Sequence, residues 1–95
     1  MSTLTDPDLD AAAEEELGHA AGITWRELSR CMPWGDTYDG FTPGGRQVSF
    51  ERAYVWAEHP GGDILCEVTA FTPERFEDGA KRTRLIRRDA TPPAR

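Results

Sequence analysis

The sequence predicts an α+β fold: one or two N-terminal helices packed on a small antiparallel sheet. Three observations lead there. Apolar residues recur at three- and four-residue steps in the first third, they alternate strictly through the middle, and turn chemistry separates two alternating runs. A chain of 95 residues holds one small domain with a single core. The expected folded part is Leu9 to Arg88, with residues 1–5 and 89–95 disordered.

The first helix starts at Asp6, a suitable N-cap, with Pro7 at the first helical position. Leu9, Ala12, Ala13, Leu17, Ala20 and Ala21 form a narrow apolar stripe, and Gly22 stops it. Thr24 and Glu27 have capping-box spacing and open a second helix, expected over 24–32 and ended by Pro33. A strand there is the competing reading, because Ile23 and Trp25 also alternate. On the helical reading Cys31 lies on the apolar side.

The stretch PWGDTYDGFTPGG, residues 33–45, combines three aromatics with four glycines, two prolines and two aspartates. This composition predicts a rigid aromatic loop joining the helical front to the sheet. The clearest signal follows it. QVSFERAYVWA alternates from 47 to 57 and DILCEVTAF from 63 to 71, with EHPGG between them as turn chemistry. Pairing Trp56 with Ile64 sets Tyr54 opposite Cys66 and Phe50 opposite Ala70, which places the apolar sets on one face. Arg52 is the exception on that face. Thr72, Pro73 and Glu74 predict a short helix or turn to about Asp78, and a third strand is expected near 83–88 with Leu85 or Ile86 inward. The expected core is Leu17, Ile23, Trp25, Leu28, Phe50, Tyr54, Trp56, Ile64, Cys66 and Val68.

Net charge is −6, unevenly spread. Residues 1–20 hold Asp6, Asp8, Asp10, Glu14, Glu15 and Glu16 with no Lys or Arg, whereas Lys81, Arg82, Arg84, Arg87, Arg88 and Arg95 crowd the last fifteen positions. The plain expectation is that the two ends lie close and neutralise each other. The alternative is an acidic helix face presented to a basic partner. The first twenty residues lack a basic segment followed by an apolar run, and nothing approaches the ~18 apolar residues of a membrane span. The sequence therefore predicts a cytoplasmic protein without membrane attachment, and reduced rather than paired Cys31 and Cys66.

Motifs for chemistry fail on specific residues. GDTYDGFT has a phosphate-loop outline, but Phe41 stands where the lysine belongs and Asp36 and Asp39 repel phosphate. A calcium loop needs oxygen ligands at alternate positions, yet Gly35 occupies one and Arg46 replaces the closing glutamate. His19, Cys31, His59 and Cys66 lack zinc-knuckle spacing. No G-x-S-x-G stretch or paired-carboxylate motif occurs, so the sequence predicts no enzyme, no metal and no cofactor. A helix-turn-helix through Leu17, Gly22, Leu28 and Cys31 would present Arg26 and Arg30, but a pI of about 4.8 lacks the basic footprint of a DNA binder. The basic C-terminal segment KRTRLIRR is a better candidate for nucleic acid, as a generic basic tail.

The functional expectation is a non-catalytic protein that binds a macromolecular partner, itself a protein, with a nucleic-acid-binding protein or complex among the candidates. In size, acidity and lack of catalytic motifs it is comparable to the small inhibitors and regulators, anti-CRISPR proteins among them, that phages and mobile elements encode. The alternative is a small DNA-binding regulator. Partner contact is expected from Trp34, Asp36, Tyr38, Asp39 and Phe41 and from the helical acids Asp10, Glu14 and Glu15. The free edge of the hairpin also offers a homodimer contact.

Overall fold

The computed structural model describes residues 6–72 and 79–88. Helix α1 (Pro7–Ala20), a single helical turn α2 (Trp25–Leu28) and strands β1 (Trp34–Phe41), β2 (Gln47–Trp56), β3 (Ile64–Phe71) and β4 (Ala80–Ile86) follow in chain order. The four strands form one antiparallel meander in the order β1-β2-β3-β4. The arrangement is α+β, with the helices on one face of an open sheet.

Helix α1 forms where its local chemistry asks for it. The Asp6 carboxylate accepts from the backbone N–H groups of Asp8 and Leu9 at 3.1 and 3.2 Å, satisfying two of the donors a helix start leaves unpaired. Leu9, Ala12, Ala13, Leu17 and Ala20 are buried. Three of these are alanines, and a stripe this shallow lets the helix lie close across β3 and β4. The end of α1 is fixed from below, since the buried Tyr54 hydroxyl donates to the Ala20 carbonyl at 2.7 Å.

The second helix is shorter than expected. Thr24 caps it by accepting from the Glu27 N–H at 3.2 Å. Beyond Leu28 the chain winds more tightly, with Arg30 N–H bonded to Glu27 O and Cys31 N–H to Leu28 O. These three-residue turns rotate successive side chains away from the α-helical stripe. Cys31 consequently sits at the surface rather than on a buried face. Leu28 is the buried residue of the turn, while Ile23 and Trp25 are only partly covered.

The largest correction concerns residues 33–45, which are not a connecting loop. Trp34–Phe41 is strand β1, paired along its length with β2, Trp34 opposite Tyr54 and Phe41 opposite Gln47. Only 42–46 turn, with Gly45 at φ +91°, a conformation side-chain-bearing residues rarely adopt. Strand β1 therefore covers the side of β2 that a lone hairpin would leave free. In the middle of the sheet Trp56 stands opposite Ile64, Tyr54 opposite Cys66 and Phe50 opposite Ala70. Strand β4 starts at Ala80, three residues before the expected start at 83, and ends at Ile86. Ile86 packs against the core, whereas Leu85 points to the other face and is exposed. The helix or turn expected over 73–78, and the termini 1–5 and 89–95, lie outside the described residues.

The buried core joins Leu9, Leu17 and Leu28 to Val48, Phe50, Tyr54, Ile64, Cys66 and Val68. Trp56 is partly buried at its margin. Among the described residues no helix is long and apolar enough to cross a membrane.

Candidate binding surfaces

The residues expected to meet a partner fall into three groups, because neighbouring strand positions face opposite ways. Trp34, Asp36 and Tyr38 share the helix-covered face of β1. Asp39 and Phe41 share the opposite face, which we call the outer face. Asp10, Glu14 and Glu15 lie on α1.

The first group is engaged within the chain. Arg52 lies directly opposite Asp36 in the register and forms a two-pronged ion pair with it at 2.9 and 2.6 Å. Its guanidinium is also held 5.1 Å from the Trp34 ring centroid and 5.2 Å from that of Tyr38. A planar cation clamped between two rings and a carboxylate is well suited to a partly buried site. The Asp36 hydrogen bond pushes the Arg52 pKa further up. Trp34 stacks on Tyr54 with centroids 4.8 Å apart, and its indole N–H is buried without an acceptor among the described residues. The Tyr38 hydroxyl donates to Glu16 at 2.7 Å. Burial, then that carboxylate, drives the Tyr38 pKa upward.

The acidic helix is also answered from within. Arg82 reaches Asp10 at 3.4 Å and Glu14 at 3.3 Å, and Arg84 reaches Glu14 at 3.7 Å. Arg46 holds Asp6 at 2.7 Å and lies 3.8 Å from Asp8. Its guanidinium, with the N–H of Leu9, keeps the Asp6 carboxyl below its ordinary pKa. The acids of the N-terminal part and the bases of β4 thus neutralise each other. Glu15 faces solvent.

The outer face has no helix over it among the described residues. Asp39 accepts from the Ser49 hydroxyl at 3.1 Å, and Phe41 stands 67% exposed at one corner. At the far end lies a feature that the sequence reading missed. Val55 pairs with Leu65 and Leu65 with Leu85, so three aliphatic side chains cross three strands in one row. Val55 is 37% and Leu85 46% exposed. Leu85 also walls a concavity of about 260 Å³ formed with the 57–63 turn and Arg88. That turn is rigidly pinned: the Trp25 indole donates to Gly62 O at 2.8 Å, Arg88 donates to Gly61 O at 2.7 Å, and the Arg88 guanidinium sits 5.1 Å from the Trp25 ring. The signal was present in the alternation, whose outward positions 55, 65 and 85 are all aliphatic.

Cys66 is sealed in the core, where burial raises its pKa, and Cys31 is at the surface. His59 lies in the 57–63 turn. Among the described residues no cluster of three His, Cys, Asp or Glu side chains could hold a metal ion. Comparison with family models, curated proteins and solved structures gave no match.

Proposed function

We propose that the protein is a non-catalytic inhibitor or regulator that works by holding a protein partner against the outer face of its sheet. The observation that carries this reading is the row Val55, Leu65 and Leu85, uncovered among the described residues and running into a pinned concavity. Its volume of about 260 Å³ lies below the roughly 300–1,000 Å³ of small-molecule sites. It suits a single anchoring side chain, and such anchors carry most of the binding energy at interfaces. Phe41 and Asp39 extend the same face toward β1. The excess of acid favours a partner with a basic surface, as a nucleic-acid-binding protein has.

Support for the two competing surfaces is weaker. An acidic helix acting as a phosphate surrogate needs free carboxylates, and Asp10 and Glu14 are turned toward Arg82 and Arg84. Direct DNA binding needs free cations; Arg82 and Arg84 are engaged on the helix, which leaves Arg26 and Arg30 exposed about a single helical turn. The test is site-directed photocrosslinking in extract of the native host, with the crosslinker at Val55, Leu65 or, separately, Glu15. The expected result is one discrete adduct from positions 55 and 65, competed away by unlabelled protein but not by the Leu85→Asp variant. An adduct from position 15 alone, or a low-salt gel shift with random DNA, overturns the proposal.

A further inference from the structure

We propose that β1 pairs antiparallel with β1 of a second copy of the chain, in the register that sets Thr37 opposite the partner's Thr37. Two four-stranded sheets then join into one, with both α1 helices on the same face. The inference stands apart from the outer-face reading, since it uses the strand's edge.

Strand β1 is an edge strand, and among the described residues β2 is the element packed along it. Its eight residues contain no Lys, Arg or Pro; of the devices that keep an edge from pairing they carry two carboxylates, Asp36 and Asp39. A two-fold axis normal to the sheet must set inner-face residues opposite inner-face residues, which restricts the choice of register. Centring on Asp36 would bring two carboxylates face to face. Centring on Tyr38 would oppose two rings that each already lie against Phe50 and Arg52. Centring on Thr37 gives Trp34 opposite the partner's Gly40, Gly35 opposite the partner's Asp39, and Asp36 opposite the partner's Tyr38. Each glycine then receives a larger side chain, and no acid meets an acid.

The charges fit this register. Asp36 is already compensated by Arg52. The two copies of Asp39 lie four residues apart along the paired strands, about 13 Å at the strand rise, beyond the ~10 Å screening length of ordinary salt. The paired residues 34–40 make a contact about 23 Å long, which with its flanking side chains buries on the order of 1,000 Å² in total, the low end for a specific interface. The dimer is therefore concentration-dependent rather than obligate. Each chain carries −6, so long-range repulsion opposes association and added salt tightens it.

Sedimentation equilibrium of the full chain, from low to high micromolar and in low and high salt, reads the dimer directly. The expected result is a monomer–dimer equilibrium strengthened by salt. Thr37→Lys, on an exposed position, should weaken it about tenfold or more without changing the far-ultraviolet spectrum. A second measurement does not depend on how that variant folds. In a Cys31→Ser background, Thr37→Cys should be joined to the same position of the second copy by a short bis-maleimide, because directly opposed Cβ atoms lie about 4.5–5.5 Å apart. Thr83→Cys on β4 should not. A chain that stays monomeric at high micromolar in high salt overturns the proposal. So does a dimer indifferent to Thr37→Lys, or one trapped through position 83.

Discussion

Along the sheet's other edge, strand β4 carries Lys81, Arg82 and Arg84, and α1 answers the two arginines with Asp10 and Glu14. Along β1, eight residues hold no basic side chain, and the one cation beneath them, Arg52, comes from β2 and is locked between Trp34, Tyr38 and Asp36. On the helix-covered face Arg52 of β2 and Arg82 of β4 flank Val68 of β3 from either side. The two arginines are held differently. At β4 the ion pairs are half-exposed and link two elements distant in sequence. At β1 the cation is part of an aromatic stack continuous with the core through Tyr54 and Phe50. Basic charge thus marks the β4 edge, whereas the β1 edge carries two carboxylates, one of them held by Arg52.

The sharpest way to break the β1 side is to lift the strand from β2. A Cβ placed on Gly35 would stand 2.5 Å from the backbone oxygen of Arg52. Backbone cannot swing aside, so Gly35→Ala should cost about 3 kcal/mol, measured by urea unfolding, and should abolish dimerisation with it. Alkali attacks the same stack. Burial, then the neighbouring Cys66, pushes the Tyr54 pKa up to about 12. The folded state therefore holds this proton more tightly than the unfolded chain does. The resulting stability is intact below pH ~10 and is lost as pH rises from there toward the folded value. Tyr54→Phe removes that part of the pH dependence while losing the bond to Ala20, a net of roughly 1–2 kcal/mol at neutral pH. Arg52→Met, which keeps the stem but not the charge, should cost about 1 kcal/mol. A larger loss than from Gly35→Ala would reverse the ranking and make the cation, not backbone approach, the basis of the β1 edge.

How much of this was legible depends on whether a residue's role is local. The helix cap at Asp6 and the alternation of Val48, Phe50 and Tyr54 answer to neighbours in sequence or to a single buried face, so pattern alone exposes them. Strand β1 was hidden because its inward positions are Trp34, Asp36, Tyr38 and Gly40. A carboxylate and a glycine interrupt the apolar rhythm and imitate a turn. The clue was Arg52, an unmatched cation on an apolar face. It required an acid opposite, and Asp36, with an aromatic two residues to either side, was the place to look. Arg82 and Arg84 concealed the inward face of β4 in the same way, since their partners lie some seventy residues earlier in the chain. The row Val55, Leu65 and Leu85 was written in the outward positions, which are ordinarily read as solvent-facing and passed over.

The smallest effect is expected where the charges are most numerous. Arg82 touches both Asp10 and Glu14, yet its side chain is 38% exposed and that of Glu14 57%. Pairs this open are screened and lose side-chain freedom when they form, so Arg82→Ala should destabilise by under about 1 kcal/mol, less than any β1 change. The loss should shrink further in high salt, and that of Arg52→Met should shrink less, because Arg52 is 22% exposed between its rings although Asp36 is 39% exposed. A double-mutant cycle of Arg82→Ala with Asp10→Asn isolates the contact. A coupling as large as that between Arg52 and Asp36 would mean that the β4 pairs act as one network with Arg84. The difference between the two edges would then lie in geometry, no longer in strength.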